Sequence, residues 1–232
     1  MSQVSGARSD SVTRWLLRCG AAAGPVFVAA FLVEGATRPG YKPLRHPVSS
    51  LALGKHGWTQ ATNFAVTGAL YAAGAAGLSR AAGGGARLAG AAAAGATAAG
   101  LLGAAAFTTD PVSGYPPGTP DALERPSREG TAHNLMSTGV FLGLPAGALA
   151  VAAGAVRNGR TGWGLYSAGT AVAVVATTGA FGAGFGQSPR LVGVAGLIQR
   201  ISITIGFGWL TALAGRSLRE LGAGRGRAVR SR

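Results

Sequence analysis

Six hydrophobic segments alternate with polar connections along the chain. Each has about 18–23 residues, enough to cross a hydrocarbon core roughly 30 Å thick. We predict membrane spans at residues 15–33, 59–78, 88–108, 133–156, 163–184 and 191–214. The pattern therefore predicts an all-α fold, a six-span transmembrane helix bundle at 14–215. A disordered N-terminal tail at 1–13 precedes it, and a basic cytoplasmic tail at 216–232 follows it, disordered beyond its first helical turns.

The polar residues are sorted between two sets of connections. Five of the seven acidic residues, His46 and His56, and nine of the eleven prolines fall between segments one and two, three and four, or five and six, and His133 begins segment four. Thirteen of the 21 basic residues lie in the other two connections, in the tails or, for Arg18, near the start of segment one. Since positive charge marks the cytoplasmic side of a membrane protein, we predict that both termini are cytoplasmic. The proline-rich loops then face outward.

Composition supports a membrane protein and argues against a nucleic-acid-binding one. Charged residues make up 12% of the chain, whereas soluble domains have about 25%. A net charge of +14 is otherwise typical of nucleic-acid binding, but here the arginines lie at the ends of apolar segments. We therefore expect membrane lipids as partners, with anionic headgroups at the basic face, no nucleic acid, and a location in the inner (plasma) membrane.

The first outer loop contains a short helix-like segment. Pro47 suits the first position of a helix, His46 is a candidate cap, and Val48, Leu51 and Leu53 provide a small apolar side. We predict a short interfacial helix there.

Small residues recur on one face of the fourth segment. Gly139, Gly143 and Gly147 follow each other at four-residue spacing, which aligns them along a helix. Because glycine has no side chain, another helix is expected to approach closely along this face.

Several polar residues lie where a membrane span would bury them. Arg200, preceded by Gln199, is about eight residues into the sixth segment, and Glu34 ends the first. Such residues are costly in a bilayer and are usually functional or paired. Together with Tyr115 in the longest loop, these four are candidate ligand-binding residues. For Arg200 the alternatives are an ion pair with Asp110 or Glu34, an anion-binding role, and contact with lipid headgroups.

His133 and Asp110 are the candidate catalytic residues, because imidazole titrates near neutrality and serves as a general base or metal ligand. With His46 they form a weak candidate set of three metal ligands, for which zinc is the expected ion. The sequence contains no HExxH or CxxC spacing to support such a site. The alternative is that these side chains are structural.

Four blocks of sequence resemble a known family. They are RPGY.PLRHPVSSLALG..GW.Q..NF at 38–64, TDPVSGYPPGTP at 109–120, H.L.S...F.GLP at 133–145, and GFGQ followed by G..QR at 184–200. They are similar to the bacterial integral-membrane family catalogued as domain of unknown function 998, over about residues 20–215. The resemblance implies a six-span membrane protein and supplies no activity, substrate or cofactor.

Three functions are compatible with these features. The first is a non-catalytic sensor, assembly or interaction protein with a polar cluster on its outer face and, as partner, another membrane protein or a second copy of itself. The second is an intramembrane metal-dependent hydrolase of a lipid or lipid-linked substrate. The third is a small transporter, although the segments show no clear inverted repeat.

Overall fold

The computed structural model describes the backbone of residues 2–81 and 84–230, and the side chains of residues 10–81 and 84–223. Six α-helices account for most of it, as predicted, together with one short 3-10 helix. They are α1 (Ser2–Thr37), the 3-10 helix (Val48–Ala52), α2 (Gly57–Arg80), α3 (Gly85–Ala106), α4 (Arg128–Arg157), α5 (Thr161–Phe185) and α6 (Ala195–Arg230). The all-α prediction is confirmed.

Five of these helices are long and apolar enough to cross a membrane, namely those containing Asp10–Thr37, Gly85–Ala106, Arg128–Arg157, Thr161–Phe185 and Ala195–Ala223. The exception among the described helices is α2, which has 24 residues but carries Gln60, Asn63 and Thr67 on its buried side. The chain is thus a multi-pass membrane protein by helix length and composition.

The first and last helices extend past the predicted spans. α1 begins at Ser2 and α6 continues to Arg230, in segments for which the sequence analysis predicted disordered tails. Neither extension contains proline. Each residue added to an existing helix gains one hydrogen bond and needs no new nucleation step. The helix of the span therefore continues into the flanking segment.

The helices form a ring in chain order. Each packs against the next, and α6 returns to pack against α1. We call the end that carries the connections 38–56, 107–127 and 186–194 the loop face. The opposite end, with the shorter connections, is the arginine face. The ring leaves room for a cavity between the helices, and α3 is one of its walls.

Close helix packing uses the predicted glycines. A Cβ added to Gly143 would lie 2.8 Å from Ala96 Cβ, and one added to Gly147 would lie 2.4 Å from Ala93 Cβ, so α4 approaches α3 along this face as expected. Such short contacts do not occur between real side chains, so both positions require glycine. Interhelical van der Waals contact of this kind stabilises bundles in lipid, where the hydrophobic effect contributes little.

At the arginine face, one carboxylate forms ion pairs with arginines of several helices. Glu220 on α6 pairs with Arg87 of α3, with Arg216 at 3.2 Å and with Arg160 at 3.4 Å. Arg216 also lies over the ring of Trp163, 5.3 Å from its centroid. These contacts join α3, α5 and α6 at this end of the ring.

The short helix of the first loop is present as the 3-10 helix. Pro47 precedes it as the N-cap residue, and the structure gives this end no side-chain cap. His46 therefore does not cap it, and its Nδ1 instead accepts a hydrogen bond from the Lys42 backbone at 2.9 Å. Val48, Ser50 and Leu51 are buried, which places the segment against the bundle.

Candidate functional site

The centre of the ring at the loop face contains a cavity of about 600 Å³. All six helices and the 107–127 connection contribute to its wall. Phe207 forms part of its floor and lies roughly 18 Å along α6 from Ala195, at 1.5 Å per residue. The cavity volume falls in the range usual for small-molecule sites.

Below the cavity the helices close on one another. The Phe207 ring lies 5.3 Å from Phe27 and 5.1 Å from Tyr71, which joins α6 to α1 and α2. A Cβ added to Gly206 would lie 2.9 Å from Leu144 of α4, so α4 and α6 touch at the same level. The cavity therefore extends through about one half of the bundle, and packed side chains separate it from the arginine face.

The cavity lining changes character with depth. Near the floor it is apolar, and the residues that contribute there include Phe27, Leu101, Val140, Ile203 and Phe207. Toward the loop face the lining is mixed: Asp110, His133, Asn134, Ser137 and Gln199 contribute there, beside apolar residues such as Val112, Leu123 and Phe185. Apart from Thr178, the polar groups are thus gathered in the half toward the loop face, which we call the polar half.

One side of the cavity opens to the outside of the bundle beside α4. Asn134, Thr138 and Leu142 follow each other at four-residue spacing, and all three are exposed and line the cavity. Leu142 is 59% exposed, and Leu135 and Leu149 of the same helix are exposed as well. On the facing helix, Phe181 lies 5.0 Å from Phe141, between ring centroids, and borders this opening.

Asp110 is held at the first turn of α4. Its Oδ2 accepts a hydrogen bond from the Ser127 backbone at 2.9 Å, and Ser127 in turn caps the helix by accepting from Gly130 N. A Cβ added to Gly130 would lie 2.0 Å from Oδ2, so glycine is required for the carboxylate to approach. The negative charge is favourable at this position, since a helix N-terminus carries partial positive charge.

The side chains of His133 and Gln199 each form one hydrogen bond to the backbone of another segment. His133 Nδ1 lies 2.9 Å from the carbonyl oxygen of Phe107, and its side chain is buried. Gln199 Oε1 accepts from the Val48 backbone at 2.8 Å, which connects α6 to the 3-10 helix. Each side chain keeps a second polar atom that is not used by these bonds.

Arg200 does not form the ion pair that was predicted as one alternative. Its guanidinium donates to the carbonyl oxygens of Pro43 at 2.6 Å, Gly196 at 2.9 Å and His46 at 3.1 Å, and also to the hydroxyl of Tyr41. Neither Asp110 nor Glu34 pairs with it. The first loop folds back over α6, so its backbone oxygens reach the guanidinium before a carboxylate does.

Three rings surround this arginine network. Tyr41, His46 and Tyr115 lie 5.1–5.4 Å from each other, between centroids, and join the first loop to the 107–127 connection. Burial raises the pKa of Tyr41 to about 12, although the charge of Arg200 acts in the opposite direction. Burial also lowers the pKa of His46 to about 4, and the positive charge of Arg45 adds to this effect. Both side chains are therefore neutral near pH 7.

Glu34 lies apart from the cavity. Its Oε2 accepts from Arg38 at 3.1 Å and from the hydroxyl of Thr59 at 2.8 Å, which joins α1 to α2. A similar link ties the loops together, where Arg45 pairs with Asp121 at 2.7 Å.

The structure brings some of the candidate residues together and separates others. Asp110, His133 and Gln199 line one cavity, whereas Arg200, Glu34 and Tyr115 pack outside it. Within the described ranges, no group of three His, Cys, Asp or Glu side chains is arranged to hold a metal ion. His46 packs between tyrosines, so it does not complete a zinc site with Asp110 and His133.

Sequence reasoning missed the apolar half of the site. Phe27, Phe64, Phe181 and Phe207 come from four different helices, and no local pattern connects them. Ser137 could have been predicted as a lining residue, because it lies one helical turn after His133 and so shares its face.

Comparison with known proteins gives one match. The model of the family described as "Protein of unknown function (DUF998)" matches residues 21–216. No curated protein and no solved structure matches the chain.

We predict that Arg200→Leu lowers the free energy of unfolding by roughly 2–4 kcal/mol, because it leaves buried carbonyl oxygens without donors. Thermal or denaturant unfolding in a mild detergent measures this, with Arg190→Leu, at an exposed arginine near the same face, as the matched control. A carboxylate partner would be indicated instead if Asp110→Asn or Glu34→Gln restored the stability of Arg200→Leu.

We also predict that the protein loses stability as the pH falls from about 6.5 to about 4. In this window an unfolded histidine binds a proton while folded His46 does not, so acidification favours unfolding. His46→Asn keeps an acceptor for the Lys42 backbone and should flatten this part of the profile of melting temperature against pH. His56→Asn, at an exposed histidine, should leave it unchanged. Equal slopes in the wild type and His46→Asn would contradict the assignment.

Proposed function

Because the chain belongs to the DUF998 family, whose function is unknown, we propose a function from the cavity itself. The protein is a non-catalytic membrane protein that binds one amphiphilic molecule, with the apolar tail in the deep half of the cavity and the headgroup at the loop face. Binding of this kind suits a sensor or an assembly protein. The gathering of polar side chains toward the loop face of an otherwise apolar cavity of about 600 Å³ is the observation that carries the proposal.

The dimensions of the cavity support a membrane ligand. Along α6 its lining runs from Gln199 to Phe207, which is roughly 12 Å at 1.5 Å per residue, and half of a hydrocarbon core is about 15 Å. A lipid in one leaflet likewise has its apolar tail deep in the membrane and its polar headgroup at the surface. A ligand in the cavity would thus keep the depth and orientation that it had in the bilayer.

The opening beside α4 supports entry from the lipid. Leu142 both lines the cavity and belongs to the exposed apolar surface of the helix. A tail passing over it stays among apolar groups throughout, so entry does not require moving the tail through water.

The geometry favours binding over the two alternative functions. A metal-dependent hydrolase needs converging ligands, and among the described residues no three His, Cys, Asp or Glu side chains are arranged to hold a metal ion. A transporter needs a polar path across the bundle, whereas Phe207, Leu144 and their neighbours close the floor of the cavity. A sensor must pass the bound state on to another protein. We therefore propose that its partner is another membrane protein or a second copy of the chain.

We propose that the loop face is outward and that both termini are cytoplasmic, in the plasma membrane, with the arginine face against anionic headgroups. The distribution of basic residues supports this orientation. Reporter fusions at the C-terminus should give signal for the cytoplasmic side, and fusions within the 107–127 connection should give signal for the opposite side. The reverse pattern would invert the orientation and place the cavity in the inner leaflet.

Filling part of the cavity should weaken binding. Thr178 lines the cavity and its Oγ1 has no hydrogen-bond partner among the described residues, so Thr178→Phe adds volume without breaking a bond. We expect wild-type protein to retain one amphiphile per chain from a mixture of single-chain oleoyl amphiphiles, measured by native mass spectrometry. Thr178→Phe should reduce the occupied fraction at least about fivefold, a loss of roughly 1 kcal/mol.

The matched control is Val175→Phe, because Val175 is on the same helix and is 55% exposed on its outer side. Occupancy of this variant should equal that of the wild type. Wild-type protein that retains no amphiphile, or equal retention in Thr178→Phe, would refute binding in the cavity.

A further inference from the structure

The charged residues of the chain are absent from the polar half of the cavity, with one exception. Among the described residues that line it, Asp110 is the one charged side chain, and no lysine or arginine contributes. This is unexpected for a chain with 21 basic residues. Building on the proposed function, we propose that the bound amphiphile has an uncharged, hydroxyl-bearing headgroup.

His133 supplies an acceptor for such a headgroup. The Phe107 carbonyl oxygen can only accept, so the hydrogen bond at 2.9 Å requires the proton to be on Nδ1. In the neutral imidazole, Nε2 then carries a lone pair and no proton. In a residue that lines the cavity, this atom is available to accept a hydrogen bond from a ligand hydroxyl.

Gln199 supplies a donor on the opposite side. Because the Val48 N–H donates to its amide at 2.8 Å, the contacting atom must be the oxygen, which leaves the NH₂ group free. The Ser137 hydroxyl, one turn below His133, both donates and accepts. A hydroxyl or an ester oxygen matches this set of neutral partners.

An anionic headgroup does not match it. The nearby cation, Arg200, already donates to three backbone carbonyls and to Tyr41, and it does not line the cavity. A phosphate would enter a partly desolvated site next to the Asp110 carboxylate without a positive partner, which is costly. A cationic amine is also disfavoured, because the N-terminus of α4 already balances that carboxylate through the Ser127 backbone.

Headgroup competition tests this inference. Wild-type protein in mild detergent receives an equimolar mixture of monooleoylglycerol, oleoyl lysophosphatidic acid and oleylamine, and native mass spectrometry identifies the bound molecule. The three share one tail, so only the headgroup decides. We expect monooleoylglycerol to be bound at least about tenfold more than either charged molecule.

A variant links this preference to His133. His133→Asn keeps a donor for the Phe107 carbonyl and removes the Nε2 acceptor. It should weaken monooleoylglycerol binding about fivefold, as for the loss of one hydrogen bond, and leave oleylamine binding unchanged. His56→Asn, on an exposed loop, is the control and should retain the wild-type preference.

The outcomes separate the two proposals. Binding of all three amphiphiles to equal extent, or a preference for the anion or the amine, would overturn the headgroup inference and leave cavity binding in place. An unchanged preference in His133→Asn would also overturn it. Binding of none of them would overturn both.

Discussion

A buried guanidinium whose hydrogen bonds are accepted by backbone carbonyls organises the loop face of this protein. Arg200 draws the oxygens of Pro43, His46 and Gly196 to one point, and Tyr41 completes the set. A charge at such depth is costly unless its hydrogen bonds are satisfied, so the first loop must fold inward over α6. That position in turn places Val48 against Gln199 and the rings of the first loop against Tyr115. The wall of the cavity therefore depends on a residue that lies behind it.

Ring closure and small residues explain why a cavity persists inside the bundle. Glycines let α3 and α4 approach closely along their length, and the Glu220 cluster joins α3, α5 and α6 at the arginine face. Toward the loop face the aromatic side chains of four helices line a space and do not fill it. Side chains that line an apolar space of this size lack packing contacts across it, and an apolar tail would supply them. Polar groups at one end then set the orientation of the occupant.

The features that are local in sequence were predictable, and those that join distant segments were not. The length of the hydrophobic segments predicted six helices, and the four-residue spacing of three glycines predicted the closely packed face of α4. The depth of Arg200 indicated that it needs partners, but a charge count suggested a carboxylate, since the sequence does not show where loop oxygens lie. Likewise, His133 and Asp110 were candidates for chemistry from their residue types alone. Their hydrogen bonds to Phe107 and Ser127 give both a structural role beside the cavity.

An experimental structure of the protein, purified in mild detergent with its native lipid, would show whether the cavity holds an amphiphile. We expect one elongated density in the cavity, with its narrow end against Phe27 and Phe207 and its wider end within hydrogen-bond distance of His133 and Gln199. We also expect Arg200 to contact carbonyl oxygens in the same map. A cavity collapsed by inward movement of α4 and α5, or filled by ordered water down to Phe207, would contradict this expectation.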